Sequence, residues 1–259
     1  MLMAEIKGRV SRSVRRRIIT TGNQISRSAW HRRLNGCIGT SRILVIDPAK
    51  YCRIGSRTYK SSLPLEHREV VLTFDDGPLP PYTDCVLDAL AAERVRAVFF
   101  IIGRMARYWP HLVRRAFFEG HTIGTHTENH PDLSLLSVGD ALLEVDAGIA
   151  SGVAALGGLG AIAPYFRFPF EHNSTDVEEH LASRGIASWG ADIVPEDWTD
   201  ITPKQLVKRV LSGLERTGKG IIMLHDIQEK TARALPDLLR QLKCCGYAIT
   251  HATPVLAGT

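Results

Sequence analysis

The sequence predicts a parallel α/β fold for most of the chain. From about residue 68, short apolar runs alternate with helical patterns, which gives roughly seven strand–helix repeats over about 190 residues. Apolar residues make up 44% and charged residues 23% of the 259 residues, which are the proportions of a globular protein. A chain of this length can bury a large core without disulfide bonds.

The predicted elements follow one another in a regular order. Residues 70–74 (VVLTF) form a buried-strand candidate, and the apolar spacing of 82–93 predicts a helix behind it. Ser137 and Thr202 mark two further helix starts, the first through a capping-box pattern and the second through the proline that follows it. The remaining strands are predicted at 97–102, 121–126, 164–168, 186–191, 221–224 and 247–251, with one more outside the repeat at 43–47, and the remaining helices at about 107–119, 175–184 and 229–243.

Charge is distributed unevenly along the chain. Residues 1–60 contain 14 lysines and arginines and two acids, a net charge of +12. The whole chain carries +5, so the rest carries −7. We therefore predict a basic N-terminal extension over 1–60 that is solvated and partly disordered, with binding of this extension to an anionic surface, either a membrane or nucleic acid, as the alternative. The acidic body argues against a nucleic-acid partner.

Cysteine usage and the start of the chain bear on location. The five cysteines are scattered or vicinal and include no C-x-x-C pair, which favours a reducing compartment over a disulfide scaffold. No apolar stretch of 7–15 residues follows the basic start, so a secretory signal is not visible. The prediction is a cytoplasmic protein, with an extracytoplasmic location as the alternative.

An uncharged run of twenty residues, 147–166, is long enough to span a bilayer. It contains five glycines and a proline, which are poor components of a continuous helix. We therefore predict a helix end, a glycine-rich loop and then a strand, rather than a transmembrane helix.

Polar side chains follow the predicted strands at the points where the strands end. They are Asp75, Asp76, His126, His130, Arg167, Asp192, Asp197, Trp198, His225 and Asp226. The carboxyl ends of parallel strands meet at the edge where active sites of barrels and open α/β sheets assemble. We expect these side chains to lie close together.

This set of side chains predicts a metal-dependent hydrolase. One carboxylate with two imidazoles leaves open positions for water and substrate, which is the pattern of catalytic zinc. Neighbouring side chains of an extended segment point in opposite directions, so one aspartate of the Asp75–Asp76 pair can bind metal while the other accepts a proton from water. A histidine across the site can protonate an amine leaving group.

Five short motifs occur in order within residues 68–256. They are TFDDGP at 73–78, HTENH at 126–130, RFPF at 167–170, DIVPEDW at 192–198 and MLHD at 223–226. Through them the chain resembles the polysaccharide deacetylases of the NodB-homology type, carbohydrate esterase family four, and is similar to chitooligosaccharide deacetylases. The resemblance implies that 68–256 is a catalytic domain, a deformed (β/α) barrel of about seven parallel strands. It also implies removal of N-acetyl groups from glycans such as chitooligosaccharides or peptidoglycan.

The resemblance also assigns the metal site and the base. Asp76, His126 and His130 would bind one divalent metal, with zinc expected and cobalt, nickel or manganese as alternatives. Asp75 would be the general base, and Arg167 would hold it in place.

Further roles follow from the other motifs of the resemblance. His225 would be the general acid, and the backbone N–H of Phe170 would help to stabilise the tetrahedral oxyanion. Leu224 and Trp198 would wall the acetyl pocket, and Thr127 would tie two rim loops together through its hydroxyl.

Three departures from the family pattern are visible. Phe170 stands where tyrosine is common, which removes a hydroxyl but keeps the backbone role. Glu171 and His172 follow it where glycine is common, which puts bulk and charge at the mouth of the site. Four residues separate Asp192 from Asp197 where two are usual, so either carboxylate could tune the general acid. We favour Asp197, because it directly precedes the tryptophan.

Other functions remain open at this point. Two histidines and one carboxylate also describe non-haem iron oxygenases, which would leave Asp75 and His225 unexplained. An O-acetyl esterase of the xylan type is a second alternative, because the mechanism tolerates an alkoxide leaving group. A catalytically silent barrel that binds a glycan is a third. We expect an N-acetylated glycan as the partner and a monomeric protein.

Overall fold

The computed structural model describes residues 36–255. Within them the strands form one nine-stranded sheet in which every pairing is parallel. The strands are β1 Thr40–Ile46, β2 Arg53–Ile54, β3 Glu69–Asp75, β4 Val98–Ile101, β5 Thr122–Thr125, β6 Tyr165–Phe166, β7 Ala187–Trp189, β8 Gly220–His225 and β9 Ala248–Pro254. The predicted parallel α/β class is confirmed.

The central strands close into a barrel. β3 to β7 lie side by side in chain order, and β8 pairs with β3 on its other side. The backbone after β7 reaches β8 through a single parallel bridge, Ile193 with Ile222, so the ring closes. β9 joins the amino-terminal end of β3, β1 joins β9, and β2 joins β7. The ring therefore has six strands, close to the predicted number of about seven, and its closure through one bridge makes it a deformed barrel, as predicted.

Helices connect the strands and cover the outside of the ring. They are α1 Tyr82–Ala92, α2 Gly103–Tyr108, α3 Pro110–Phe118, α4 Val138–Leu156, α5 Thr175–Ser183, α6 Pro203–Thr217 and α7 Glu229–Cys244. Both predicted caps are present. Ser137 Oγ accepts a hydrogen bond from Asp140 N at the start of α4, and Thr202 forms a reciprocal capping box with Gln205 at the start of α6.

The helix predicted over 107–119 is two helices. Trp109 leaves the helical region, with φ −128° and ψ 53°, and Pro110 then begins α3. Because proline has no N–H, it can open a helix but cannot continue the hydrogen bonding of the preceding one. The prediction missed this break because the apolar spacing runs through it.

The uncharged run over 147–166 divides as predicted. α4 ends at Gly157, whose φ of 59° is the left-handed conformation that commonly ends a helix. A glycine-rich turn follows, and the chain enters β6 at Tyr165. Among residues 36–255 the helices are too short or too polar for any of them to cross a membrane.

The alternation of side chains along β3 positions the site. Leu72 and Phe74 pack in the cluster under the helices, whereas Val71 packs with side chains of the barrel interior. Successive residues of a strand point to opposite faces, so Asp75 shares the interior face of Val71 and Thr73. The carboxylate of Asp75 is thereby aimed into the barrel at the end where β3 stops.

Part of the predicted N-terminal extension belongs to the sheet. β1 contains most of the predicted 43–47 strand and pairs with β9, and Ile46 and Ile54 are fully buried. The compact unit begins at Cys37, earlier than the boundary at residue 60 that charge suggested. Net charge does not mark where the sheet begins, because Arg42 and Arg53 lie in these strands and still count toward the basic total. Residues 1–35 lie outside the described residues, so the basic extension stays a prediction there.

Candidate active site

The site begins at the turn that follows β3. Asp75 is the last residue of the strand and is 1% exposed. Asp76 has a positive φ of 75°, so the chain turns sharply between the two carboxylates. A Cβ at Gly77 would lie 2.1 Å from Asp226 Oδ2, which shows why the motif needs glycine here.

Asp75 is held by an arginine at the end of β6. Arg167 Nη1 donates to Asp75 Oδ1 at 2.6 Å and to Thr73 Oγ1 at 2.8 Å. The other guanidinium nitrogens donate to backbone carbonyl oxygens of Trp189 and Gly190. Both charged side chains are buried, and each is stable there because the other and the carbonyls satisfy it. The orientation of the Asp75 carboxylate is therefore fixed.

Asp76 faces two histidines. Its Oδ1 lies 3.4 Å from His126 Nε2 and 3.3 Å from His130 Nε2, and one donor atom of each of the three residues lies within 4.8 Å of the others. His126 Nδ1 donates to the carbonyl oxygen of Arg167 at 2.7 Å, which orients the ring so that Nε2 faces Asp76. Asp76 Oδ1 is buried and has no hydrogen-bond partner in the described part of the chain.

The protonation of this cluster suits a cation. Burial alone would raise the pKa of Asp76, but the neighbouring imidazoles of His126, His225 and His130 lower it to about 2. Burial, together with the charge of His126, lowers the pKa of His130. An ionised carboxylate beside two imidazoles is the donor set of a divalent metal site.

The two histidines lie on a loop, not on one face of a helix. Thr127 and His130 both have positive φ, at 65° and 62°, and His130 N donates to Thr127 Oγ1 at 2.9 Å. Thr127 thus holds its own loop. Between them Glu128 is 5% exposed, accepts a hydrogen bond from Ser151 Oγ at 2.7 Å and forms an ion pair with Arg107. No pattern in the sequence indicates that this carboxylate anchors the loop.

His225 stands across the site with its own carboxylate partner. Its Nδ1 lies 2.6 Å from Asp197 Oδ1, and its backbone N–H donates to Asp197 Oδ2 at 2.8 Å. Asp197 also accepts a hydrogen bond from Thr231 Oγ1. Burial alone would lower the pKa of His225, but the hydrogen bond and charge of Asp197, with Asp75 and Asp76, raise it to about 9. Its Nε2 lies 4.0 Å from Asp76 Oδ2 and so faces the metal-ligand cluster.

The structure does not bring Asp192 to His225. Asp192 Oδ1 accepts hydrogen bonds from Ser56 N at 2.8 Å and Ser56 Oγ at 2.6 Å, and Oδ2 accepts from Ser62 Oγ and Ile221 N. The extra residues of the fourth motif leave Asp192 at the point where the barrel closes. The catalytic role considered for Asp192 is therefore corrected to an anchoring role, and Asp197 is the carboxylate in contact with the histidine.

A cavity of about 430 Å³ opens over these residues. Trp198 and Phe170 line it, 51% and 58% exposed. Leu224 does not line it, because it is fully buried in the core under the helices. Met223 lines it instead, since residues two apart in a strand share a face and Met223 is two residues before His225. The pocket-wall role predicted for Leu224 is therefore wrong.

The third motif forms a strained turn at the mouth of the cavity. Phe170 has φ 60° and Glu171 φ 56°, two consecutive left-handed residues that are not glycine. The Phe170 ring centre lies 4.7 Å from that of His130. Glu171 lines the cavity, and His172 pairs with Asp132 at 2.6 Å. The oxyanion role of the Phe170 N–H stays a prediction.

Asp226 packs against Gly77 of the first motif. It is fully buried and accepts a hydrogen bond from Thr83 Oγ1 at 2.6 Å. Burial, with the charges of Asp76 and Asp75, raises its pKa to about 7 against the effect of Thr83. The sequence placed Asp226 at this edge but assigned it no role.

Comparison with known proteins places the chain in a family. Residues 63–189 match the family described as polysaccharide deacetylase. A chitooligosaccharide deacetylase of Bradyrhizobium sp. is 35% identical over 206 residues, which is 73% of this chain and 90% of that protein. The chain belongs to the polysaccharide deacetylase family, and the predicted family and enzyme class are confirmed.

Two further relatives are longer than this chain. The peptidoglycan-N-acetylmuramic acid deacetylase PdaC of Bacillus subtilis is 32% identical over 70% of this chain, which spans 37% of that protein. The structure of a Bdellovibrio bacteriovorus peptidoglycan deacetylase matches with a TM-score of 0.75 and 31% identity, over 86% of this chain and 62% of that one. Relatives named for different glycans, chitooligosaccharide and peptidoglycan, are thus similar to this chain.

Proposed function

We propose that the protein is a metal-dependent deacetylase that removes N-acetyl groups from oligosaccharides of N-acetylglucosamine. The observation that carries the proposal is the convergence of three units on one cavity: the Asp76–His126–His130 cluster, the Asp75–Arg167 pair and the His225–Asp197 pair. Each supplies one requirement of amide hydrolysis, namely a Lewis acid, a base and an acid.

The three ligand residues fit a divalent cation. Asp76 Oδ1 is buried without a hydrogen bond in the described residues, and both histidine Nε2 atoms lie within 3.4 Å of it. When bound, a cation such as zinc would polarise the acetyl carbonyl and make water more acidic. The same donors also accept cobalt, nickel or manganese.

The chain's own residues handle the protons. Asp75, fixed by Arg167, accepts the proton of the attacking water. The Asp197 carboxylate stabilises the protonated form of His225, which donates from Nε2 to the leaving nitrogen. Donation is essential because an amide nitrogen leaves as a neutral amine and not as an anion.

The substrate class follows from the relatives and from the charge at the mouth. The chitooligosaccharide deacetylase from Bradyrhizobium is covered over 90% of its length, which favours the same class for this chain. At the mouth, Glu171 lies 3.9 Å from Arg57, and Glu196 pairs at 3.2 Å with Arg209, which lies outside the cavity lining. Both glutamates of the mouth thus have a cationic neighbour, which suits an uncharged chitooligosaccharide.

The test is an acetate-release screen with zinc and with chelator. The substrates are N-acetylglucosamine tetramer, peptidoglycan and acetylated xylan, and the control variant is Asp76→Ala, which removes one ligand. We expect the wild-type protein to release acetate from the tetramer, and we expect this release to be lost with chelator and in Asp76→Ala. Release from acetylated xylan alone would indicate an O-acetyl esterase, and tetramer binding without release would indicate a silent glycan-binding barrel; either result contradicts the proposal.

A further inference from the structure

We infer that Arg57 and Glu171 form a subsite that binds the sugar next to the one that is deacetylated, in an uncharged N-acetylhexosamine oligomer. The inference rests on the proposed function and adds a recognition site from outside the family match. Arg57 precedes residues 63–189, the part that matches the family, yet it lines the same cavity as Asp76.

The segment that carries Arg57 is fixed against the rim of the barrel. Arg57 N donates to Ala191 O at 3.0 Å, and Gly190 N donates to Ile54 O at 2.6 Å. Next to it, Asp192 accepts hydrogen bonds from both the N–H and the hydroxyl of Ser56. The anchoring role of Asp192 thus has a consequence for the cavity, because it holds the base of the Arg57 side chain in place.

The Arg57 guanidinium has N–H donors without an acceptor among residues 36–255. Its Nε lies 3.9 Å from Glu171 Oε2, which is beyond a hydrogen bond, and it forms no hydrogen bond with another side chain or carbonyl in residues 36–255. The side chain is 52% exposed. A guanidinium carries five N–H donors, so a ligand in the cavity meets several that are already partly desolvated.

Glu171 provides acceptors beside these donors. Its Oε1 accepts a hydrogen bond from Thr58 Oγ1 at 3.2 Å, which orients the carboxylate toward Arg57. The left-handed backbone of Glu171 places it at the cavity mouth at the expense of conformational strain, which is a common feature of functional sites. A sugar hydroxyl both donates and accepts, so an arginine–glutamate pair can bind one from both sides.

An aromatic face completes the subsite. Phe170 directly precedes Glu171, lines the cavity and is 58% exposed. A large apolar ring beside polar side chains suits a pyranose, which has an apolar face and a polar rim. The cavity of about 430 Å³ lies in the range of pockets that hold drug-sized ligands and exceeds the needs of an acetamide group alone.

The charge around the subsite favours an uncharged sugar over a carboxylate-bearing one. Glu171 is close to Arg57, and Glu196, the other glutamate that lines the cavity, is 3.2 Å from Arg209. A carboxylate on the ligand would gain the attraction of Arg57 but meet both glutamates. The ligand of this subsite is therefore a neutral oligomer.

Arg57→Ala tests the subsite, and Arg53→Ala is the matched control. Both arginines lie on the same segment, pair with a glutamate and are about half exposed, but Arg53 pairs with Glu178 and does not line this cavity. We expect Arg57→Ala to raise the KM for the N-acetylglucosamine tetramer about tenfold with kcat changed less than twofold. The kcat/KM for the monosaccharide should fall less than that for the tetramer, and Arg53→Ala should match the wild type throughout.

Binding separates this inference from the proposed function. Tetramer affinity is measured by tryptophan fluorescence on chelator-treated protein, where no turnover occurs, and a tetramer containing N-acetylmuramic acid is the charged probe. An Arg57-dependent affinity for the neutral tetramer supports the subsite even where acetate release is absent, which would overturn the proposed function alone. Equal affinity in wild type and Arg57→Ala, equal losses in both arginine variants, an effect confined to the muramic acid probe, or no tetramer binding at all would overturn the subsite.

Discussion

Replacing Asp197 with asparagine tests how the candidate general acid is held. Asp197 is fully buried and accepts hydrogen bonds from His225 Nδ1 at 2.6 Å, from His225 N at 2.8 Å and from the Thr231 hydroxyl. Asparagine has nearly the same volume and keeps an acceptor but has no charge. The substitution therefore removes the partner that stabilises protonated His225 and leaves the packing intact.

The size of the effect follows from the pKa of His225. It is raised to about 9 in the folded chain, against about 6.5 for an exposed histidine, a difference worth about 3 kcal/mol. A histidine with a raised pKa binds its proton more tightly when folded. Its contribution is full below about pH 6.5 and is lost as the pH rises through about 9. The difference in unfolding free energy between wild type and Asp197→Asn should therefore shrink by about 3 kcal/mol between pH 6 and pH 10.

The assay is urea unfolding of both proteins across this pH range with chelator present, together with NMR titration of the His225 ring. Thr231→Val is the control, because it removes one hydrogen bond to the carboxylate and keeps the charge. It should lower stability by about 1 kcal/mol at every pH. A stability difference that is the same at pH 6 and pH 10, or a His225 pKa that stays within about half a unit of the wild type in Asp197→Asn, would refute this reasoning.

Three further predictions concern the supports of the site. Arg167→Met should lower the free energy of unfolding by about 3–5 kcal/mol because it leaves the buried Asp75 carboxylate unpaired, and the double variant with Asp75→Asn should recover part of that loss. If the losses of the two single variants simply add in urea unfolding, the two side chains do not stabilise each other. Leu224→Ala should lower the free energy of unfolding by about 2–5 kcal/mol and leave the KM unchanged, whereas Met223→Leu should change the KM and lower the free energy of unfolding by less than about 1.5 kcal/mol. A KM that changes in Leu224→Ala and not in Met223→Leu would show that Leu224 lines the cavity. Gly148→Ala, whose Cβ would lie 2.5 Å from a backbone carbon of the histidine loop, should weaken zinc affinity at least tenfold; unchanged affinity in calorimetry would show that the loop does not depend on this contact.

Most of the strand order and the central site could be predicted from the sequence. Parallel strands buried on both faces appear as continuous apolar runs, and VVLTF before two aspartates marks both a strand and the place where its chemistry begins. The histidines, Arg167 and His225 follow other strands in the same way. Because the carboxyl ends of parallel strands lie at the same edge of a sheet, these side chains meet there.

The misplacements have a common physical cause. Leu224 and Met223 are adjacent in sequence, and only the register of β8 decides which of them faces the cavity. Asp192 lies three residues beyond the short strand β7, where the barrel closes through one bridge, so no local pattern could show its contacts with Ser56. Glu128 supports the histidine loop through Ser151 and Arg107, and Arg57 reaches the cavity through a backbone contact with Ala191; sequence spacing encodes neither set of contacts.

The central claim is that Asp76, His126 and His130 hold one divalent cation. Calorimetric titration of chelator-treated protein with zinc tests it directly, with Asp76→Ala and His130→Ala as variants. We predict one zinc ion per wild-type chain, with proton release at acidic pH where the imidazoles must deprotonate, and at least a hundredfold weaker binding in both variants. Zinc binding that is absent from the wild type, or that is equally tight in the two variants, would contradict it.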